Sequence, residues 1–486
     1  MKNRHYLDSR RGFLKGMSGA GALSFLGGTG ILSAMVNSTA GAAEVSGYKA
    51  IVCVFLHGGQ DCHDTVLPYD QASYDQYVQT RNGILGDYAS MDGGSNRTRE
   101  RLLKLNPENA AELGGREFAL PDNLSALKTL FDSGKAAILG NVGPLIEPMT
   151  RLEFEEQTKQ APKLLFSHND QQSTWMSNGP EGQVVGWGGR FADAVVASGA
   201  NQEKLFTSIS TDGINIFLSG ENVQQYVLNT EGPPHVEELG EYGAGLLGTG
   251  ADSAKANRLL EEHYRSLNLT SNNLIKRDLA DISNRAFDLN DTFSKALEAA
   301  SALTTSFPRS DVGQQLKSVA ETINIQSALG VGRQVFFVGM GGFDTHDNQA
   351  SQIAGQQKKY SDSIGAFYQA MVEIGAENNT TLFTASDFGR ALLENGNGTD
   401  HGWGAHHFIV GGAVNGNRIY GNIPGYTSGH DQDAGNGRLI PQTSVEQYAA
   451  TLGKWFGLSP AELITALPNL ANFTEKDLGF MSGGNT

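Results

Sequence analysis

Four short segments of this chain set carboxylates and imidazoles beside glycine. They are His57-Gly58-Gly59-Gln60-Asp61-Cys62-His63-Asp64, Gly341-Gly342-Phe343-Asp344-Thr345-His346-Asp347-Asn348, Ser386-Asp387-Phe388-Gly389-Arg390 and Asp400-His401-Gly402-Trp403-Gly404-Ala405-His406-His407. All four offer Asp and three offer His. Oxygen and nitrogen donors drawn from separate places are what a divalent ion needs, and this mixture suits zinc, manganese or iron better than calcium. Two such ions about 4 Å apart would clamp the attacking and leaving oxygens of an ester displacement. Asp and Gly also build turns, and His fills polar gaps. One segment alone therefore reads as loop chemistry, whereas four together favour a metal.

Such groups act together only if a scaffold brings them to one place. The first segment follows a continuous apolar run at 50–56, short and β-branched, which predicts a central parallel strand. Similar runs recur at 136–139, 205–209, 335–338, 381–384 and 408–410. Helical spacing lies between them, as in Leu124, Leu127 and Phe131, or Phe191, Ala194 and Val195. It returns in Tyr360, Ile364, Phe367 and Met371, and in Tyr448, Leu452 and Trp455. Strands alternating with helices predict a layered α/β sheet, in which ligands bind beyond the carboxyl ends of the strands. The polar stretch 80–118 reads as a surface insertion. Residues 228–256, rich in Gly, Pro and Glu, read as a loop. A helical insertion follows to 330, with Leu259, Leu260, His263, Tyr264 and Leu267 on one face.

The 486 residues include 36 Lys and Arg against 52 Asp and Glu, a formal charge of −16. With 39% hydrophobic and 18% charged residues, the chain can bury a core and is neither disordered, collagenous nor a polytopic membrane protein. The acidic balance argues against nucleic acid as a partner. Ser9-Arg10-Arg11-Gly12-Phe13-Leu14-Lys15 precedes a weakly apolar stretch from Gly16 to Val36 and then Ala40-Gly41-Ala42, a small-x-small cleavage candidate. Paired arginines before a modest apolar region read as a twin-arginine signal over residues 1–42, with the translocase as a transient partner. The glycine content makes the stretch a poor membrane span. Export, a periplasmic location in a bacterial host and no stable membrane span after processing are expected, with 43–486 as a single domain. The two cysteines, Cys53 in the apolar run and Cys62 in the loop after it, are poorly placed to bond and read as reduced thiols.

The segments quoted above, together with Glu394-Asn395-Gly396-Asn397-Gly398-Thr399-Asp400-His401-Gly402 and Arg418-Ile419-Tyr420-Gly421, resemble the domain-of-unknown-function family 1501, grouped with the alkaline phosphatase and sulfatase superfamily. The resemblance implies an alkaline-phosphatase-like α/β fold: a mixed, mostly parallel sheet between helical layers, with a helical insertion. It also implies one or two divalent ions. Asp61 and Asp387 match the ligands of one ion, Asp344 and His346 those of the other, and His401 the final histidine, with His406 or His407 as substitutes. Phe388 stands where the superfamily usually has His, which bears on the second ion. The nucleophile implied is Ser167 in Phe166-Ser167-His168-Asn169-Asp170, where a helix start favours a bound anion; Ser167 reads equally as an N-cap. His168 reads as a ligand, a general acid or a core histidine. Arg390 reads as a grip on a phosphate or sulfate oxygen, or as a carboxylate partner. The function expected is a periplasmic metal-dependent hydrolase of phosphate or sulfate esters, acting on a small-molecule or saccharide ester. The alternative is a non-catalytic exported binding or assembly protein with a remnant metal site.

Overall fold

The computed structural model describes residue 43, residues 45–91, 97–230, 232, 259, 261–263, 265–266 and 273–483. The segment 1–42 expected to be an export signal, most of the stretch 228–256 expected to be a loop, and Leu260, Tyr264 and Leu267 lie outside these residues.

Among the described residues the strands run in chain order β1 (Lys49–Leu56), β2 (Leu67–Pro68), β3 (Leu103–Lys104), β4 (Phe118–Leu120), β5 (Ala136–Gly143), β6 (Ser208–Ser210), β7 (Tyr226–Val227) and β8 (Arg333–Met340). There follow β9 (Thr380–Ser386), β10 (Arg390–Asn395), β11 (Gly398–His401), β12 (Ala405–Gly411), β13 (Ile419–Gly421) and β14 (Thr443–Ser444). The central sheet has the order β13-β5-β12-β9-β1-β8-β6-β7, with β14 also on β5. β1 pairs in parallel with β8 and β9, and β6 in parallel with β8. β12 runs antiparallel between β9 and β5. The sheet is therefore mixed and mostly parallel, and each of the six apolar runs contributes a strand to it.

β1 shows why its run is continuous rather than alternating. Ala50, Val52, Val54 and Leu56 enter one buried cluster, while Ile51, Cys53 and Phe55 enter another on the opposite face. A strand buried on both faces has no solvated side to carry polar residues. The first cluster is closed by the helices Ser125–Asp132, Asp311–Asn324 and Gln349–Glu373; the second is closed by Trp187–Ala197 and Val445–Phe456. The helical spacings in the sequence fall in four of these five helices. Ser444 and Gln447 form a reciprocal capping box at the start of Val445–Phe456. Cys53 and Cys62 are both buried free thiols.

The segment expected as a surface insertion behaves differently. Within 80–118, the guanidinium groups of Arg81 and Arg97 are fully buried and form ion pairs with Asp61 and Asp64. Other polar residues of the segment, such as Glu100, Arg101, Glu108 and Glu112, are exposed, so the segment combines a solvated face with two charges carried into the interior.

Candidate metal centre

β1, β8 and β9 end side by side, so the loops after them open at one edge of the sheet. Gly58 ties these loops together. Its N–H donates to both oxygens of Asp387 (3.2 Å each) and its carbonyl accepts from Arg390 Nη1 at 2.7 Å. Its φ is +114°, and a Cβ there would stand 2.3 Å from the backbone nitrogen of Asp344. Only glycine lets three strand ends approach so closely.

Asp387 is fully buried and acts as an anchor. Besides Gly58 it accepts from Gln172 Nε2 at 2.8 Å and bonds His168 Nδ1 at 2.7 Å. His168 and Gln172 share a face of the helix His168–Ser177, four residues apart. With Nδ1–H given to Asp387, the His168 tautomer is fixed and Nε2 is left as a bare donor. That Nε2 is buried and has no hydrogen-bond partner, and it stands 3.5 Å from Asp344 Oδ2. The hydrogen bond to Asp387 raises the His168 pKa more than burial lowers it.

His401 repeats the device. Its Nδ1 lies 2.7 Å from the carbonyl of Phe166, so it donates there and leaves Nε2 facing Asp344 Oδ1 at 3.5 Å. Burial lowers the His401 pKa, and the cations around it add to that effect, so the ring is kept neutral. Phe166 adopts φ +72°, a strained value for a bulky residue, and the turn aims its carbonyl at the ring. Phe388, also fully buried, floors the pair, its ring centroid 4.9 Å from His168 and 4.6 Å from His401. Directly after Asp387 this chain thus sets an apolar support beneath both imidazoles.

Asp344 is the half-exposed carboxylate on which both imidazoles converge. Burial works to raise its pKa, but Arg390 Nη1 at 3.1 Å, with His168 and His346, holds it below the usual carboxylate range. One donor atom each from His168, Asp344 and His401 lies within 4.8 Å of the others. His346 stands at the mouth, its Nε2 2.8 Å from His401 Nε2 and 3.1 Å from Asp344 Oδ1. Since His401 Nε2 is bare, His346 is the donor in that pair. Two imidazole nitrogens with orienting partners, one carboxylate, and a buried Nε2 lacking any partner fit a divalent transition ion. The residues that would hold it are His168, Asp344 and His401, with His346 adjacent.

The structure thus brings together His168, Asp344, His346, Asp387 and His401; it gives Asp61, His406, Ser167 and Asp387 other surroundings than expected, while Arg390 takes the carboxylate-partner reading. Asp61 is no ligand: its fully buried carboxylate is gripped by both terminal nitrogens of Arg81, by Gln349 Nε2 at 2.5 Å and by His63 N at 3.0 Å. Burial would raise its pKa, yet Arg81 keeps it lowered. His406 lies in the core, its Nδ1 accepting from Asn141 N at 2.9 Å and its pKa pushed down to about 4 by burial. Ser167 stands at the helix N-cap but makes no backbone cap bond; its part-buried hydroxyl donates to Asp170 Oδ2 at 2.8 Å. Arg390 is committed to the carbonyls of Gly58 and Thr399 and to Asp344, so it positions a carboxylate and grips no oxyanion. Asp387 holds an imidazole from behind. Gln172 and the Phe166 carbonyl were not identified from sequence; a Gln four residues after the motif's His was the available signal for the first.

A family model described as "Protein of unknown function (DUF1501)" matches residues 48–468. No curated protein sequence matches the chain. Among solved structures, it is similar to the lipoteichoic acid synthase LtaP from Listeria monocytogenes, at 7% identity and a TM-score of 0.35, over 88% of this chain and 77% of that one. The PsFucS1 sulfatase from Pseudoalteromonas sp. aligns at 8% identity and 0.31, over 82% and 73%. The alkaline phosphatase from the Antarctic bacterium TAB5 aligns at 10% identity and 0.27, over 75% and 92%.

Proposed function

The chain belongs to the DUF1501 family, and from that premise and the geometry at the strand ends we propose a metal-dependent hydrolase of phosphate or sulfate esters, exported by the twin-arginine route. One observation carries the reading: two imidazoles, each tied back through Nδ1, turn their Nε2 atoms onto one carboxylate, and the buried Nε2 of His168 has no other partner. A divalent ion held there would supply Lewis-acid polarisation of an ester oxygen and lower the pKa of water. Asp387 and the Phe166 carbonyl fix both ring tautomers before any substrate arrives. Arg390 keeps Asp344 ionised and stationary. His346, half-exposed with its Nδ1 3.8 Å from Asp400, is the group placed to carry a proton between the site and solvent. With Ser167 committed to Asp170, the reading is direct attack by water rather than a serine-bound intermediate.

The second reading, an exported binding protein with a remnant site, is favoured by two observations. The Asp61 position is filled by a salt bridge, and the position after Asp387 by a phenyl ring. Metal analysis of the chain matured in its own host, joined to assays on aryl phosphate and aryl sulfate, separates the two. The hydrolase reading expects about one transition metal per chain and ester turnover, both lost in His168→Ala. Metal without turnover, or no metal after native purification, defeats the hydrolase reading and favours the binding one.

A further inference from the structure

A deep cavity among the described residues lies at the opposite end of the sheet from the metal centre. Lys49 and Arg333, the first residues of β1 and β8, line it; β1 then runs about 26 Å, at roughly 3.3 Å per residue, before reaching His57. The cavity measures about 470 Å³, within the roughly 300–1,000 Å³ of small-molecule sites. Its apolar wall comes from Leu458, Leu463, Ile464 and Leu470. Its charged lining is Lys49, Arg333, Lys454 and Lys476 against the single acid Asp477, which pairs with Lys454 at 2.9 Å.

That sign is the reverse of the molecule's. A chain of net charge −16 gathers four cations and one anion around a concavity with low-dielectric walls, which focuses a positive potential there. Three of the cationic side chains, Arg333, Lys49 and Lys454, are held in place. Arg333 is buried, its Nε donating to the Phe456 carbonyl at 2.7 Å and its Nη1 to the Gly47 carbonyl at 2.5 Å; Lys49 Nζ donates to the Trp455 carbonyl at 2.6 Å. We propose that this cavity binds a small amphiphilic anion, a carboxylate or phosphate head on a single aliphatic chain. The head meets the lysines and the chain lies on the leucine wall. The proposal is independent of the hydrolase reading, since no residue of the metal centre lines the cavity.

Isothermal titration of the signal-free chain with octanoate, octyl phosphate, inorganic phosphate and octyltrimethylammonium tests it. Octanoate and octyl phosphate are expected to bind, and more weakly at high salt. Inorganic phosphate and the cation should bind at least tenfold more weakly. Lys476→Glu, an exposed position, should weaken octyl phosphate about tenfold, and Ile464→Asp, also partly exposed, should weaken both amphiphiles; neither should change metal content. A preference for octyl phosphate over octanoate assigns a phosphate head, and the reverse a carboxylate. Equal binding of cation and anion, equal binding of inorganic phosphate, or indifference to both substitutions overturns the proposal.

Discussion

Asp61 and Asp387 are both fully buried carboxylates, and they do different work. Asp387 faces an imidazole, so its loss should be felt by the metal. Asp387→Asn preserves shape but cannot hold the Nδ1–H of His168 as firmly; loss of such an orienting partner typically costs 10–100-fold in metal affinity. Competition with a fluorescent chelator would measure it, and unchanged affinity would remove Asp387 from the assembly. Asp61 faces Arg81, with no exposed atom on either side chain. Asp61→Asn leaves a buried guanidinium uncompensated, which costs about 3–5 kcal/mol when one partner of a buried pair is removed. Urea unfolding should show that loss while the metal affinity of the folded fraction stays at the wild-type value. If the affinity collapses instead, Asp61 belongs to the site after all. Nothing in the sequence separates these two residues, because each is an Asp in a glycine-containing segment that follows a strand. The difference comes from Arg81, twenty positions beyond Asp61, and His168, more than two hundred before Asp387.

Elements were more legible than side-chain roles. A strand buried on both faces announces itself by an unbroken apolar run, and a packed helix by its period, because burial acts on every residue in the element. The helix Val445–Phe456 shows what periodicity hides. Glu446 sits in its first turn, buried, with Oε1 accepting from Asn469 Nδ2 at 2.9 Å and Oε2 without a partner. Burial pushes its pKa up from an ordinary 4.5 to about 7. The folded state therefore holds this proton more tightly than the unfolded chain. Stability from this group is fully present below about pH 4.5 and is lost as pH rises through about 7, by roughly 3 kcal/mol. Glu446→Gln should flatten that dependence and raise stability at pH 8, as read from denaturation midpoints at pH 5 and pH 8. A wild-type midpoint contribution that is equal at the two pH values, with no gain in the variant, would show that the carboxyl is not desolvated as described.

For the whole molecule, no helix among the described residues is long and apolar enough to cross a membrane. The expected export signal lies at residues 1–42. Replacing Arg10 and Arg11 with Lys should leave unprocessed precursor in the cytoplasm, as seen by fractionation. Appearance of the double variant in the periplasm would refute the assignment. The segments quoted from sequence did converge at one end of the sheet, since three of them follow strands that run parallel side by side. The region 80–118 was less legible because its polarity alone could not show that two of its arginines turn inward.

The ligand set has a consequence in time. His168, Asp344 and His401 are spread over 233 positions, and the last of them comes from the hairpin of β10 and β11. No nascent fragment ending before that hairpin can assemble the centre, and synthesis at about 5–20 residues per second needs on the order of tens of seconds to reach it. On the proposed metal-dependent reading, metal capture is therefore a late event that follows the synthesis of β1, β8, β9 and the β10–β11 hairpin. A translocase that accepts only folded cargo would meet this chain with its last checkpoint already passed or visibly failed.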